Sequence, residues 1–239
     1  MKKPDYSLII ACYNEGPTFE ESLNKISTQV KKMKGVWEII FVEDGSTDNT
    51  KAIVEKFVRE NKNAKAIYHN RNLGRGKSVT DGIIASRGAI CGYIDADCEI
   101  SPTYIPLFVK EIENGRDMVV GKRFYESGLK SITRVIASKV YASIIKLLLD
   151  IPIEDTEAGY KFFRKKTISP VLKKTKDKHW FWDTEICART SQAGLKISEI
   201  PVLFTRRSEK KSTVRLLPDS ITYISSLIKF RSELKRGDK

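Results

Sequence analysis

The first half of the chain alternates short apolar runs with stretches in which apolar residues recur every three or four positions. The apolar runs predict buried strands, and the spaced pattern predicts amphipathic helices. Strands are expected at residues 7–12, 37–42, 64–68, 89–94 and 117–121. Helices are expected between them, at residues 17–30, 48–61, 77–86 and 102–114. Because single helices separate these strands, the connections are crossovers and the sheet should be mostly parallel.

The second half is less regular. Its predicted elements are a long amphipathic helix at 131–149, a strand at 160–163, a helix at 182–192, a strand at 195–204 and a helix at 221–230. We therefore expect one α/β domain over residues 1–215, followed by an amphipathic helix and charged tail at 216–239. Within the domain, we expect two halves, at residues 1–121 and 122–215.

Composition narrows the possible classes of protein. The 239 residues are 41% hydrophobic, which supports a packed core and argues against disorder. No run approaches the roughly 20 apolar residues of a membrane-spanning helix. The first residues lead directly into a predicted strand, so we expect no secretory signal. Four cysteines without a C-x-x-C pair and only two histidines favour reduced thiols over a zinc site. The net charge of +13 predicts an anionic partner.

Two carboxylates one residue apart, Asp95 and Asp97, follow the apolar run at residues 89–94. A strand that ends at two acids presents them at the carboxyl edge of the sheet, where open α/β folds bind ligands. Hard oxygen ligands at this edge suit Mg²⁺ or Mn²⁺ shared with a diphosphate. The position after the fourth strand therefore predicts a metal and diphosphate site.

Polar residues also follow the first two predicted strands. Asp44 lies at the end of the second strand, where its carboxylate can accept hydrogen bonds from a nucleobase or ribose. Tyr13 follows the first strand and can stack on a base, whereas Asp48 is interpreted as a helix cap. The segment 74–78, Gly-Arg-Gly-Lys-Ser, is not a phosphate loop, because Arg71 occupies the position of the first glycine. We interpret it as a turn that opens a helix.

These residues carry a resemblance to family 2 glycosyltransferases, and within them to dolichyl-phosphate mannose synthases and related polyprenyl-phosphate hexosyltransferases. The matching motifs extend over almost the whole chain. They are Tyr13-Asn14-Glu15, Glu43-Asp44-Gly45-Ser46-Thr47-Asp48, Asn72-x-Gly74, Asp95-Ala96-Asp97, Gly121-Lys122-Arg123-Phe124, Arg134-x-x-x-Ser138, Asp155-x-x-x-Gly159-Tyr160-Lys161-x-Phe163-Arg164, Trp182-Asp183-Thr184-Glu185 and Ile200-Pro201-Val202-x-Phe204-x-x-Arg207.

The resemblance implies a GT-A fold, the nucleotide-diphospho-sugar transferase fold, with a mostly parallel central sheet and amphipathic interface helices. In that fold, residues 1–121 would form the half that binds the nucleotide sugar, and residues 122–215 the half that binds the acceptor. It also implies a catalytic role for Asp95, Asp97 and Arg123. The nucleotide sugar would be bound by Ala11, Tyr13, Glu15, Val42, Asp44, Asp95, Ala96, Asp97 and Arg207. A Mg²⁺ or Mn²⁺ ion would be held by Asp97 and Glu99, with Asp95 close by. The acceptor phosphate would be bound by Arg123, Arg134 and Ser138.

Three positions depart from the family pattern. Ala11 replaces a proline in the first strand, and Glu99 stands where the family often has glutamine. In the loop after Arg207, the segment 210–213, Lys-Lys-Ser-Thr, lacks the lysine expected at its last position. Lys210 or Lys211 replaces that lysine, or the donor differs.

The expected activity is transfer of a hexose from a nucleotide sugar to dolichyl or polyprenyl phosphate, with GDP-mannose favoured and UDP-glucose or UDP-N-acetylglucosamine as alternatives. A second hypothesis is transfer to a saccharide hydroxyl, with Asp183 or Glu185 as the base. The third, a nucleic-acid-binding module, is disfavoured because the lysines are not interleaved with aromatic residues on one face. We expect a cytoplasmic protein bound peripherally to the cytoplasmic face of a membrane.

Overall fold

A computed structural model describes residues 3–125, 148–149, 151–206 and 216–237, with side chains omitted at 216–221 and 235–237. Its seven strands are β1 (Tyr6–Cys12), β2 (Trp37–Glu43), β3 (Ala64–Tyr68), β4 (Ile90–Ile94), β5 (Met118–Tyr125), β6 (Tyr160–Arg164) and β7 (Ile197–Phe204). Its α-helices are α1 (Phe19–Lys31), α2 (Thr50–Glu60), α3 (Arg75–Ala85), α4 (Ile105–Glu113), α5 (Lys165–Lys174), α6 (Trp182–Gln192) and α7 (Leu216–Gly237).

The seven strands form one sheet in the order β3-β2-β1-β4-β6-β5-β7. Strands β1 to β4 are parallel, and β6 runs antiparallel to both of its neighbours, β4 and β5. Strand β7 is parallel to β5, so β6 alone of the seven runs against the others. The prediction of a mostly parallel α/β sheet is confirmed. The carboxyl ends of β2, β1 and β4 meet side by side.

Apolar side chains cover both faces of the sheet. One face packs against helices α1, α2 and α4, through residues such as Phe19, Val54 and Phe108. The other packs against α3, α5 and α6, through residues such as Val79 and Trp182. Burial on both faces explains why the central strands read as continuous apolar runs rather than as an alternation. A smaller cluster packs Leu227 and Phe230 of α7 on Phe181.

Strands β5 and β7 pair over eight residues and continue beyond the end of β4. The register places Val120 beside Lys161, and Lys161 beside Tyr93, so β5 passes the level of Ile94 near Gly121. Residues 122–125 and 201–204 therefore project by roughly 13 Å, at about 3.3 Å per residue, as a two-stranded ribbon. This β5–β7 ribbon stands at the same edge as Asp95 and Asp97.

Several predicted boundaries differ from those observed. Strand β5 extends to Tyr125 rather than 121, because β7 supplies hydrogen-bonding partners along its whole length. Helix α5 was not predicted, and the last helix is longer than 221–230. Most of the predicted helix at 131–149 lies outside the described residues. All four cysteines are free, as expected, and Cys12, Cys91 and Cys187 are buried.

Candidate active site

The loops that leave β1 and β2 are joined by hydrogen bonds between their own motif residues. The Asn14 amide donates to Ser46 Oγ at 3.0 Å, and its side-chain oxygen accepts from the Thr47 amide at 2.8 Å. Asp48 accepts from the amide of Thr50, the first residue of α2, at 2.9 Å, whereas the residue at the N-cap position is Asn49. These polar residues therefore stabilise the conformation of the two loops at the sheet edge.

Asp44 is almost fully buried and organises the loop before α3. Its carboxylate accepts hydrogen bonds from the amides of Leu73 and Gly74, each at 2.9 Å, and lies 2.6 Å from His69 Nδ1. Gly74 has φ +100°, and an added Cβ there would overlap the Lys178 carbonyl. The carboxylate thus fixes the turn that opens α3. Its predicted contact with a nucleoside stays a prediction.

The other residues predicted to bind the nucleotide differ in exposure. Tyr13, Glu15 and Ala11 are partly exposed near the end of β1, and the Tyr13 amide donates to Glu15 Oε1 at 3.1 Å. Val42 is fully buried in the core, and Ala96 is 4% exposed. The Val42 side chain therefore lies inside the core rather than at the sheet edge.

Asp95, Asp97 and Glu99 follow β4 as predicted. The Asp95 amide donates to the Gly159 carbonyl at 3.0 Å, and Asp97 Oδ1 accepts from the Glu99 amide at 3.1 Å. The Glu99 carbonyl accepts from the Thr205 amide at 2.9 Å, which ties this loop to the end of β7. The acidic loop is therefore held between β6 and the β5–β7 ribbon.

The acidic loop supplies only some of the ligands that a divalent cation requires. Within the described parts of the chain, no three His, Cys, Asp or Glu side chains are grouped closely enough to hold a metal ion. Mg²⁺ is usually bound by one or two carboxylates, with the remaining ligands supplied by substrate phosphates and water. Asp97 and Glu99 fit that mode, because they are partly exposed carboxylates at the sheet edge.

A buried ion cluster lies directly behind Asp95. Arg75 donates to Asp95 Oδ1 from Nη2 at 2.7 Å and from Nε at 3.2 Å, and it also pairs with Asp183. Lys161, with no exposed surface, donates to Asp183 Oδ1 at 2.5 Å and to the Tyr93 hydroxyl at 3.0 Å. We name Arg75, Asp95, Lys161 and Asp183 the four-charge cluster.

Neither Arg75 nor Lys161 has a role that was predicted from the sequence. A lysine within an apolar strand such as β6 is a usable signal, because a buried ammonium requires a partner. The partner itself was not predictable, since Lys161 meets Asp183 on a different element. Burial lowers the pKa of Arg75, but the charges of Asp183 and Asp95 outweigh burial and raise it well above its ordinary value, so Arg75 stays charged.

The two candidate bases are both buried in α6. Asp183 is 2% exposed and is bound by Lys161, Arg75 and the Tyr93 hydroxyl. Glu185 is 3% exposed and accepts from the backbone amides of Lys176 and Asp177, at 3.0 and 2.7 Å. These contacts support orienting roles: Asp183 holds the cluster, and Glu185 holds the loop before α6.

Arg123 lies on the β5–β7 ribbon and is held by Asp155. The guanidinium donates to both Asp155 oxygens, at 2.7 and 2.8 Å, and lies 5.9 Å from the ring centre of Phe204. Burial raises the pKa of Asp155, but the Arg123 charge and hydrogen bonds outweigh it and leave the pKa below its usual value. The two groups therefore stay ionised. Arg134, Ser138, Arg207, Lys210 and Lys211 lie outside the described residues.

The chain is similar in sequence to several curated glycosyltransferases. The chain is 26% identical over 215 residues to glycosyltransferase AglD from Haloferax volcanii, covering 87% of this chain and 34% of AglD. It is 29% identical to dolichyl-phosphate beta-glucosyltransferase ALG5A from Trichomonas vaginalis, covering 82% of this chain and 64% of that protein. A Dictyostelium discoideum dolichyl-phosphate beta-glucosyltransferase is 27% identical, with 83% and 66% covered. The chain thus spans from about one third to two thirds of these relatives.

Solved structures share the fold. Glucosyl-3-phosphoglycerate synthase from Mycobacterium tuberculosis, in complex with UDP, superposes with a TM-score of 0.71 at 18% identity, over 96% of this chain and 80% of that one. The same enzyme with Mn²⁺, UDP-glucose and phosphoglyceric acid also gives 0.71. The predicted GT-A fold is confirmed. The family model described as glycosyl transferase family 2 matches residues 7–172, and the chain therefore belongs to that family.

Proposed function

We propose that the chain is a metal-dependent glycosyltransferase that moves glucose from UDP-glucose to a polyprenyl phosphate such as dolichyl phosphate. Two of the relatives above are named dolichyl-phosphate beta-glucosyltransferases, and the structural neighbour was solved with UDP-glucose and Mn²⁺. These names favour glucose over the mannose that the sequence motifs suggested. The proposed donor is therefore UDP-glucose, which is an alternative to GDP-mannose that the sequence predicts.

The observation that carries this proposal is the acidic loop after β4, which lies at the same sheet edge as the carboxyl ends of β1 and β2. Asp97 and Glu99 would hold a divalent ion, which stabilises the negative charge that develops on the departing diphosphate. Asp44 fixes the turn before α3, and its backbone amide donates to the carbonyl of Cys12, the residue before Tyr13. The edge thus offers a surface for a nucleoside beside carboxylates for a cation that the diphosphate can share.

The burial of Asp183 and Glu185, the two candidate bases, favours a phosphate acceptor over a hydroxyl acceptor. A hydroxyl needs a carboxylate base within hydrogen-bond reach, whereas a lipid monophosphate is already an anion. Asp183 and Glu185 are buried and bound, which disfavours either as that base. Arg123 is a fork-shaped cation of the type that binds phosphate, and its Asp155 partner holds it on the ribbon at the site edge.

The outer face of the β5–β7 ribbon supports a lipid acceptor. Phe124 and Leu203 are register partners on this face and are 50% and 43% exposed. Lys122, on the same face, lies 5.8 Å from the Phe124 ring centre. Arg123 and Phe124 are adjacent residues on opposite faces, so a phosphate and an apolar chain could be bound next to each other. The proposed partner is the surface of a membrane, to which the protein would bind peripherally.

One assay tests the proposal. Purified protein is incubated with Mg²⁺ or Mn²⁺ and radiolabelled UDP-glucose, GDP-mannose or UDP-N-acetylglucosamine, with and without dolichyl phosphate. We expect label to enter the organic phase only with UDP-glucose and dolichyl phosphate together, and only with metal. Lipid-linked mannose would overturn the donor. Transfer to a saccharide hydroxyl without lipid would overturn the acceptor, and no transfer from any donor would overturn both.

A further inference from the structure

Arg75 joins an exposed carboxylate to a buried one. Its own side chain is 16% exposed, whereas those of its two partners, Asp95 and Asp183, are 45% and 2% exposed. Lys161 already neutralises Asp183 at 2.5 Å from the opposite side. The buried trio of Lys161, Asp183 and Arg75 therefore carries one surplus positive charge. The Arg75 guanidinium places this positive charge beside the Asp95 carboxylate.

The position of the Asp95 carboxylate is fixed by more than this ion pair. Its backbone amide is bound by the Gly159 carbonyl, and a Cβ added at Gly159 would overlap both the Asp95 carboxylate and the Arg75 guanidinium. The guanidinium lies 5.4 Å from the Tyr93 ring centre and 5.6 Å from that of Trp180. Such aromatic contacts stabilise a planar cation in one orientation.

We propose that Arg75 is a positioning residue for Asp95: it holds this carboxylate in the orientation that the donor diphosphate and its cation require, with the Lys161–Asp183 pair as its anchor. This inference rests on the proposed function. Both Arg75 hydrogen bonds are made to Oδ1 of Asp95. This oxygen is therefore already hydrogen-bonded within the protein. The cation would then be held mainly by Asp97 and Glu99, and Arg75 would act on donor binding through Asp95.

The test is a double-mutant cycle on binding of UDP in the presence of Mn²⁺, measured by calorimetry. The variants are Arg75→Gln, Asp95→Asn and the double variant. We expect each single change to weaken binding about tenfold or more, and the double variant to bind no more weakly than Asp95→Asn alone, because residues that act through one contact are not additive. Lys77→Gln is the control, since Lys77 lies on the same helix but pairs with Asp81, and it should change binding less than twofold.

Arg75→Lys provides a second variant if Arg75→Gln fails to fold. It keeps a cation beside Asp183 but lacks the planar fork, so we expect normal folding and binding at least threefold weaker than wild type. Full additivity of Arg75 and Asp95 variants would overturn the positioning role while leaving the proposed function intact. Failure of the wild-type protein to bind UDP with Mn²⁺ would overturn the UDP donor and this inference together.

Discussion

At the residue scale, Lys161 shows how the protein stabilises a buried charge. Its ammonium has no exposed surface and donates to Asp183, the Tyr93 hydroxyl and the Ala158 carbonyl. Three acceptors match the three donors of an ammonium group. Removing one partner of such a pair leaves the other charge buried, which is far more costly than the net value of the pair itself.

Because Arg75 still pairs with Asp183 when Lys161 is removed, Lys161→Met should lower the free energy of unfolding by about 1.5–3 kcal/mol, the range for hydrogen bonds to a charged group. Methionine fills a similar volume, so the loss reports the hydrogen bonds that the Lys161 ammonium makes to Asp183, Tyr93 and Ala158 rather than a cavity. Urea unfolding at neutral pH measures it. Lys166→Met, at an exposed position of α5, should change stability by no more than about 0.5 kcal/mol. Equal, small losses for both variants would contradict the account.

Individual site residues differ in how far the sequence could predict them. The positions of Asp95 and Asp97 at the sheet edge follow from the placement of acids directly after a strand. Arg75 and Asp183 are separated by 108 positions, and no local pattern links them. The pairing depends on α3 and α6 packing on the same face of the sheet, which is a property of the tertiary structure.

At the element scale, β2 carries a buried carboxylate that ties three segments together. Glu38 is 3% exposed and accepts from the Ser7 hydroxyl at 2.7 Å and the Arg87 amide at 2.6 Å, and Lys65 lies 3.3 Å away. Burial raises the pKa of Glu38, but these hydrogen bonds and the Lys65 charge outweigh burial, so its pKa lies below the ordinary value of 4.5.

This lowered pKa predicts the sign of a pH effect. A carboxyl with a lower pKa in the folded state contributes stability above its unfolded pKa, and this is lost as pH falls through the folded pKa. Glu38→Gln should reduce the free energy of unfolding by about 1.5–3 kcal/mol at pH 7, and the difference from wild type should shrink below pH 4.5. Urea unfolding across that range measures it; Glu60→Gln, at an exposed site, should show no such trend.

The elements themselves were largely predictable. Residues 182–192 form a helix with the predicted bounds, and strands β1 to β4 lie within one or two residues of their predicted positions. Helix α5 was missed because Pro170 lies in its interior, where proline normally breaks a helix. The reversed direction of β6 was not predictable, because the apolar run of a buried strand carries no sign of its orientation.

At the scale of the whole molecule, the net charge of +13 and the apolar face of the β5–β7 ribbon favour an anionic lipid surface. None of the helices in the described part of the chain is long and apolar enough to cross a membrane. Basic residues near an anionic surface contribute about 1 kcal/mol each, and added salt screens this attraction.

The protein should therefore cosediment with vesicles that contain phosphatidylglycerol at low salt, and high salt should release most of it. Vesicles of phosphatidylcholine alone should bind much less. The double variant Phe124→Ser, Leu203→Ser should weaken binding at high salt, whereas Ile84→Ser, at a 65% exposed position of α3, should not. Equal binding to neutral and anionic vesicles would contradict the electrostatic part of this prediction.

The central claim is that the carboxyl edge of β1, β2 and β4 binds a nucleoside diphosphate together with a divalent cation. Crystals grown with UDP and Mn²⁺ test it directly through the anomalous scattering of manganese. The account predicts one strong peak within coordination distance of the Asp97 carboxylate, with the diphosphate on the same ion, and loss of that peak in Asp97→Ala. A peak elsewhere, or UDP bound at another surface, would contradict it.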